Sequence, residues 1–322
     1  MYDIVFYEAF HEEQKALKER LPESLNALYF PETIQESLEN IPSGRVLCIR
    51  TQSIIPKECY GRIEAVLTRS QGYDHLIRMF KMISKPPKLG FLGAYCSRAV
   101  AEHAILSMFV LAKKLKRQIK HFATFNRDGL TGIEFFGRKV LVAGVGEIGS
   151  QIIDLTKALN MEVRGIDIFP KRGDINYVSL IEGMQWAEII FCALPLTDET
   201  RGYFNYEVLK DVKKGVIFIN ISRGEISPFE DLVKLLNENI LAGVSLDVYQ
   251  DENVLAEDLR GGGSGRGYAK KVIDFSNREN VLCTPHNAFN TEEAIFQKAR
   301  ITIDSLECFF NTGNFPHPIL VQ

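Results

Sequence analysis

The sequence predicts an α/β protein built on two doubly wound parallel sheets, and three observations carry that prediction. Short apolar runs alternate with amphipathic stretches along most of the 322 residues, the pattern of parallel strands joined by crossover helices. A glycine turn, Gly144-Val145-Gly146-Glu147-Ile148-Gly149, links one apolar run to a helical repeat near the middle of the chain. Such a turn belongs after the first strand of its own sheet, so the alternating residues 1 to about 95 require a separate α/β domain.

The central stretch runs from Lys139 to Asp167. Val140-Leu141-Val142-Ala143 reads as a buried strand, and Ile148, Ile152, Leu155 and Leu159 recur at helical spacing. A second apolar segment, Val163 to Ile166, ends at Asp167, 18 residues beyond Gly149. Strand, glycine turn, helix, strand and terminal acid form the dinucleotide-binding unit. Gly144 permits the tight turn, Gly146 lets the backbone approach a pyrophosphate, and Gly149 lets helix and strand pack closely. The helix start offers free N–H groups and a partial positive charge to phosphates. Asp167 can accept hydrogen bonds from the adenosine ribose and would repel a 2′-phosphate, which favours NAD over NADP.

Composition narrows the partners. A hydrophobic fraction of 46%, a charged fraction of 25% and a net charge of −3 describe a globular protein with no basic field for nucleic acid or an anionic membrane. No run approaches the roughly 20 apolar residues that span a bilayer. Residues 1–7 read as a first strand rather than a signal peptide. The six cysteines form no CxxC pair, so reduced thiols, no metal centre and a cytoplasmic location are expected.

In the first domain, strands are expected at 3–7, 26–30, 45–50, 63–68 and 88–92, with helices near 11–21, 32–39 and 74–82. Backbone N–H groups of the turn Ser70-Gln71-Gly72-Tyr73-Asp74 could hold a carboxylate. A plain turn capped by Ser70 or Asp74 fits that segment equally well. Residues 99–122 read as one long helix whose basic end, with Lys113, Lys114, Lys116, Arg117 and Lys120, complements the helix dipole as a solvated turn. Further strands are expected at 188–193, 215–220, 242–247 and 280–283. Ser227-Pro228-Phe229-Glu230 predicts an N-cap, a proline at N1 and a capping-box glutamate, opening a helix that buries Leu232, Leu235 and Leu236. Gly261 to Gly267 reads as a flexible loop, and about 291–311 as a final amphipathic helix.

Three candidate catalytic residues follow strand ends, where ligands of open α/β sheets bind. Arg223 lies in Ile221-Ser222-Arg223-Gly224, Glu252 lies five residues past Asp247, and His286 lies in Thr284-Pro285-His286-Asn287. Together they suit hydride transfer to a keto acid. Arg223 would fork onto the carboxylate and polarise the carbonyl. His286 would donate a proton as hydride arrives, and Glu252 would orient the imidazole and favour its charged form. Singly each has a blander reading, as a turn cap, a surface acid or an exposed loop residue. His11, His75, His103, His121 and His317 lack comparable placement and read as structural or surface residues.

These residues lie in ordered motifs through which the chain resembles the D-isomer-specific 2-hydroxyacid dehydrogenases. The motifs are Arg69 to His75, Ala99-Val100-Ala101-Glu102-His103-Ala104, Gly144 to Gly149, Leu194-Pro195-Leu196-Thr197 with Thr200-Arg201-Gly202, Asn220 to Gly224, Leu246 to Tyr249 with Glu252, and Thr284 to His286. Asp128-Gly129-Leu130-Thr131-Gly132, Tyr95 and His286 to Thr291 resemble the D-lactate and D-2-hydroxyisocaproate dehydrogenase branch. The resemblance implies a Rossmann NAD-binding domain, 98–289, inserted into a flavodoxin-like substrate domain, 1–97 plus 290–322. It also implies a homodimer. It gives Arg223, Glu252 and His286 the catalytic roles, Gln71 and Gly72 the carboxylate cradle, and Tyr95 and Phe289 the substrate pocket. Glu147, Ile148, Asp167, Leu194, Pro195, Thr200, Ile221, Ser222 and Asp247 would contact the cofactor. The expected reaction interconverts a small 2-oxo acid, pyruvate foremost, and its D-2-hydroxy acid. Glyoxylate, hydroxypyruvate or branched 2-oxo acid reduction is the alternative, and an NAD(H)-sensing corepressor the alternative of another class. Two departures stand out: Glu147 would face the pyrophosphate with a carboxylate, and Asn253 replaces a proline that often follows the glutamate.

Overall fold

The computed structural model describes residues 2–37, 44–263 and 265–321. The chain divides into two compact units, Met1–Cys96 with Asn290–Gln322, and Ser97–Phe289. Among the described residues no helix is long and apolar enough to cross a membrane.

The first unit contains β1 (Tyr2–Phe6), α1 (His11–Lys18), β2 (Ala27–Tyr29), β3 (Gly44–Ile49), β4 (Ala65–Thr68), α2 (Asp74–Phe80) and β5 (Lys88–Phe91). Its sheet is parallel, in the order β2-β1-β3-β4-β5. Ile4 to Phe6, Val46 to Ile49 and Ala65 to Leu67 are all buried, the continuous apolar strands that a sheet covered on both faces demands. The strand order reverses between β1 and β3. There the Glu8 carboxylate accepts the backbone N–H groups of Arg50, Gln52 and Ser53 at 2.9, 3.1 and 3.0 Å, tying the two strand ends together.

The second unit contains α3 (Ser97–Ala112), α4 (Leu115–His121), β6 (Lys139–Ala143), α5 (Glu147–Ala158), β7 (Glu162–Ile166), β8 (Asn176–Tyr177), α6 (Leu180–Trp186), β9 (Ile189–Cys192), α7 (Tyr206–Leu209), β10 (Val216–Asn220), α8 (Phe229–Asn237), β11 (Leu241–Leu246), α9 (Glu252–Arg260), α10 (Gly267–Ser276) and β12 (Val281–Cys283). Its seven strands are parallel in the order β12-β11-β10-β9-β6-β7-β8, and the strand order reverses between β6 and β9. The last helix, α11 (Glu292–Thr312), belongs to the first unit and packs on α1.

Strand edges fall within one or two residues of those expected, but several helical details differ. The expected helix at 32–39 is absent over its described part. Residues 32–37 form turns, with one helical hydrogen bond from Ser37 N–H to the Thr33 carbonyl; residues 38 and 39 lie outside the described residues. One bond closes a turn without propagating it, because nucleation alone is unfavourable.

The single helix expected over 99–122 is two. Lys114 adopts a left-handed φ of 53°, and the Ala112 carbonyl is taken by Ile133 N–H at 3.1 Å. Gly132 makes that approach possible, since a Cβ there would stand 2.5 Å from the same carbonyl oxygen. The basic end is not simply solvated. Lys116 Nζ donates to the carbonyls of Ser276, Arg278 and Val281 at 2.6–2.8 Å, and Arg117 and Lys120 pair with Glu279.

The capping box expected at Ser227 is also absent. Pro228 occupies the N-cap of α8, the Ser227 hydroxyl accepts from Asn220 Nδ2 at 2.8 Å, and Gln250 Oε1 accepts Phe229 N–H at 3.0 Å. A tertiary acceptor thus replaces the local one, while Leu232, Leu235 and Leu236 are buried as expected. The segment between Glu252 and Val281, read only as a loop at 261–267, supplies α9 and α10 around that loop; residue 264 lies outside the described residues.

Candidate active site

The glycine turn lies where the larger sheet reverses its strand order. Gly144 has φ of 90°, and a Cβ there would stand 2.5 Å from the Ala193 carbonyl oxygen after β9. At Gly149 a Cβ would stand 1.9 Å from the Gly144 oxygen, so α5 rests directly on the turn. At Gly146 it would meet no described atom within 4 Å, leaving one side of the turn open beside the first N–H groups of α5, which lack intrahelical partners. Asp167 Oδ2 accepts Val145 N–H at 2.7 Å and Oδ1 accepts Phe169 N–H at 2.8 Å. The carboxylate braces the turn and retains lone pairs for two further donors. These features fit a dinucleotide. Glu147 is exposed and Ile148 half-buried.

Next to β6, the loop after β9 is held by its own side chains. Thr200 Oγ1 donates to the Pro195 carbonyl at 2.6 Å and accepts Thr197 N–H at 2.8 Å. The Ser222 hydroxyl donates to the Leu194 carbonyl, coupling this loop to the turn after β10. Ile221 beside it is buried.

Arg223, Glu252 and His286 follow β10, β11 and β12, three adjacent strands. The buried Asn220 shapes the arginine turn: its Oδ1 accepts Ser222 N–H at 2.9 Å, and its Nδ2 donates to the Arg223 carbonyl at 2.9 Å. The Arg223 side chain donates from Nη1 to the Ser222 carbonyl at 2.8 Å. Gly224 lets this turn meet the next, because a Cβ there would stand 2.0 Å from the Tyr249 carbonyl carbon. Three residues beyond Tyr249, Glu252 opens α9. His286 Nδ1 and Glu252 Oε1 are 2.7 Å apart, with side chains 20% and 17% exposed. A carboxylate can only accept, so Nδ1 carries the donated proton and Nε2 is left for other chemistry.

The turn that carries His286 is anchored by Asp247, whose side chain is 2% exposed. Oδ1 accepts the Thr284 hydroxyl at 2.6 Å and Asn287 N–H at 2.8 Å, and Oδ2 accepts Ala288 N–H at 2.9 Å. The carboxylate of Asp247, an expected cofactor contact, thus also holds this loop. The Tyr249 hydroxyl donates to the Thr284 carbonyl at 2.9 Å, and burial raises it far above its ordinary pKa, so it remains a donor. His103 on α3, read as structural or surface, reaches Thr284 Oγ1 at 3.2 Å. Its only sequence signal was its place in Ala-Glu-His-Ala. Phe289, just past the turn, is buried.

In the first unit, Gln71 and Gly72 are half-buried between β4 and α2. Neither Ser70 nor Asp74 caps α2; Tyr73 holds the N-cap position without a side-chain bond, and the Ser70 hydroxyl donates to the Gly72 carbonyl at 2.7 Å. Gln71 Oε1 is buried without a partner among the described residues. Tyr95 is half-buried, and burial raises its hydroxyl well above the usual value.

Sequence reading missed the ion cluster below this turn. Arg69 Nε and Lys298 Nζ lie 2.9 and 2.8 Å from Glu13 Oε1, all three side chains fully buried. Arg69 also donates to the carbonyls of Cys48 and Tyr7. Burial alone would raise Glu13, but the two cations outweigh it and hold the carboxyl at about 2. Burial pushes Lys298 down to about 7 against the pull of Glu13.

Comparison with known proteins places this geometry in a family. The profile of the D-isomer specific 2-hydroxyacid dehydrogenase NAD binding domain matches residues 103–288. The 2-hydroxyacid dehydrogenase A of Aspergillus oryzae is 30% identical over 259 residues, 77% of this chain and 72% of that protein. The D-lactate dehydrogenase of Escherichia coli is 30% identical over 220 residues, 66% of each chain. A crystal structure of D-lactate dehydrogenase from Aquifex aeolicus, complexed with NAD and lactic acid, superposes with a TM-score of 0.84 at 26% identity, covering 98% of this chain and 99% of that one. With its glycine turn at the strand-order reversal, this chain belongs to the NAD-dependent D-isomer-specific 2-hydroxyacid dehydrogenases.

Proposed function

We propose that this dehydrogenase interconverts a small 2-oxo acid, pyruvate foremost, and its D-2-hydroxy acid, with Arg223, Glu252 and His286 as the catalytic trio. The observation that carries this reading is the 2.7 Å contact of His286 Nδ1 with Glu252. It fixes the ring so that Nε2 alone is left to exchange a proton with substrate. The bound nicotinamide supplies or accepts the hydride. In reduction, His286 Nε2–H protonates the oxygen as the carbonyl becomes an alcohol; in oxidation the neutral Nε2 takes that proton back. Glu252 orients the imidazole through that contact. Arg223 binds the carboxylate and polarises the carbonyl with its planar fork. Backbone N–H groups at Gln71 and Gly72 hold the carboxylate, and Tyr95 and Phe289 limit the substrate side group.

The glycine turn, Glu147, Ile148, Leu194, Pro195, Thr200, Ile221 and Ser222 line the cofactor side, and Asp247 supports it through the neighbouring turn. Asp167 selects NAD over NADP by repelling a 2′-phosphate. The relatives named D-lactate dehydrogenase support pyruvate as the substrate. A homodimer is supported by the exposed apolar residues Leu115, Ile119 and Phe122, spaced to share one face of α4 and its C-cap. Six free cysteines support a cytoplasmic location.

The test is NADH oxidation with pyruvate, 2-oxobutyrate, 2-oxoisocaproate, phenylpyruvate, glyoxylate and hydroxypyruvate, repeated with NADPH. The expected result is fastest turnover on pyruvate and much slower turnover with NADPH. Comparable rates with NADPH would overturn the role of Asp167. Tight NADH binding without turnover on any 2-oxo acid would replace the enzyme reading with an NAD(H)-sensing one.

A further inference from the structure

We propose that His103 is a positioning residue for His286, acting through Thr284 and Asp247. Thr284 has a single hydroxyl hydrogen, and its oxygen lies 2.6 Å from Asp247 Oδ1. An ionised carboxylate only accepts, so that hydrogen points at Asp247. Thr284 Oγ1 can then only accept from His103 Nε2 at 3.2 Å, which places a hydrogen on Nε2. His103 therefore donates to Thr284, and Thr284 donates to Asp247.

The far end of this chain of bonds is the proton donor itself. Asp247 also receives Asn287 N–H and Ala288 N–H, so one buried carboxylate grips the turn on both sides of His286. The turn needs gripping. His286 has φ of 51°, a strained conformation that persists only where its surroundings over-determine it. Its amide bonds to the Thr284 carbonyl, so a backbone shift at Thr284 is passed directly to His286. Without His103 the Thr284 hydroxyl keeps only one of the two bonds that fix its rotamer and swings more freely against Asp247. The buried carboxylate then loses its shortest hydrogen bond, and the imidazole shifts from Glu252. The His103 side chain is 16% exposed and also faces Asp247 Oδ1 at 3.9 Å, so the helix α3 is fastened to the catalytic turn at this point.

The kinetic arm of the test rests on the proposed dehydrogenase reaction, and a spectroscopic arm does not. His103→Leu preserves bulk and removes the donor; His103→Gln keeps an N–H donor at similar reach. We expect His103→Leu to lower kcat for 2-oxo acid reduction about tenfold, with KM for NADH within about twofold of wild type, the cost of a small misplacement of a reacting group. His103→Gln should recover kcat to within about threefold, and Thr284→Val should reproduce the leucine variant. In 15N-histidine spectra, the His286 ring signal, assigned by its loss in His286→Gln, should move in His103→Leu and return in His103→Gln. Unchanged kcat in His103→Leu, or a glutamine variant no better than the leucine one, overturns the proposal. An unmoved His286 signal overturns it as well. A wild type inactive on all 2-oxo acids would refute the proposed function, and the spectra alone would then decide the role of His103.

Discussion

Glu252 touches no substrate in the proposed reaction, yet its contact selects Nδ1 as the bound nitrogen of His286. Glu252→Gln keeps an acceptor and removes the charge. The expected outcome is a smaller loss of kcat for 2-oxo acid reduction than in Glu252→Ala, because a neutral acceptor still holds Nδ1 by a weaker bond. Equal losses would show that an acceptor at Nδ1 is not enough to orient the ring. His286→Ala should leave less than about 1% of turnover, within the range of general acid effects, while NADH affinity measured by fluorescence titration stays at the wild-type value. Both residues were legible in the sequence because each follows an apolar run by a few positions. Their 2.7 Å contact was not, since 34 residues separate them. Glu147 is exposed beside the glycine turn, and two readings of it remain distinct. Glu147→Arg should lower KM for NADH if the carboxylate faces the pyrophosphate, and an unchanged KM would exclude that cost.

At the scale of elements, the site is a set of turns that meet because glycines let them. Gly224 brings the arginine turn against residues 249 and 250, and so against the segment leading to Glu252. Gly224→Ala would force a Cβ to within 2.0 Å of the Tyr249 backbone. Overpacking of this kind costs about 1–3 kcal/mol; urea unfolding should report a loss of that order, together with a fall in kcat. The helix errors have the same origin. Residues 99–122 carry no proline or glycine, so nothing local breaks the helix at Lys114. The break depends on residues 132 and 133 returning to take the Ala112 carbonyl. Ser227 has the right local pattern for a cap, but Asn220 from β10 claims its hydroxyl first. Local patterns fail where a distant group competes for the same backbone or side-chain atom.

Across the whole chain, the buried cluster of Glu13, Arg69 and Lys298 makes a testable statement about stability. The Lys298 pKa is about 7 in the folded protein against an ordinary 10.5, so between those values the unfolded chain binds more protons. Stability contributed by this group therefore rises with pH from about 7 to 10.5 and is absent below that window. Lys298→Met should remove the rise, changing the pH slope of the unfolding free energy by up to about 1.4 kcal/mol per unit near pH 8–9. Denaturant titrations across that range would measure it, and an unchanged slope would show that Lys298 keeps its ordinary pKa. Glu13 acts at the other end: held at about 2, it contributes stability above its ordinary 4.5 that is lost as pH falls toward 2. Sequence alone determined the fold class, the parallel strands and the dinucleotide turn, because these rest on hydrophobic period and glycine spacing, which are local. Only the tertiary structure decided that Asp247 grips the His286 turn, that His103 reaches it, and that Lys298 meets Glu13. Each joins groups far apart in the chain, brought within hydrogen-bond reach by strand order, and no local pattern records that order.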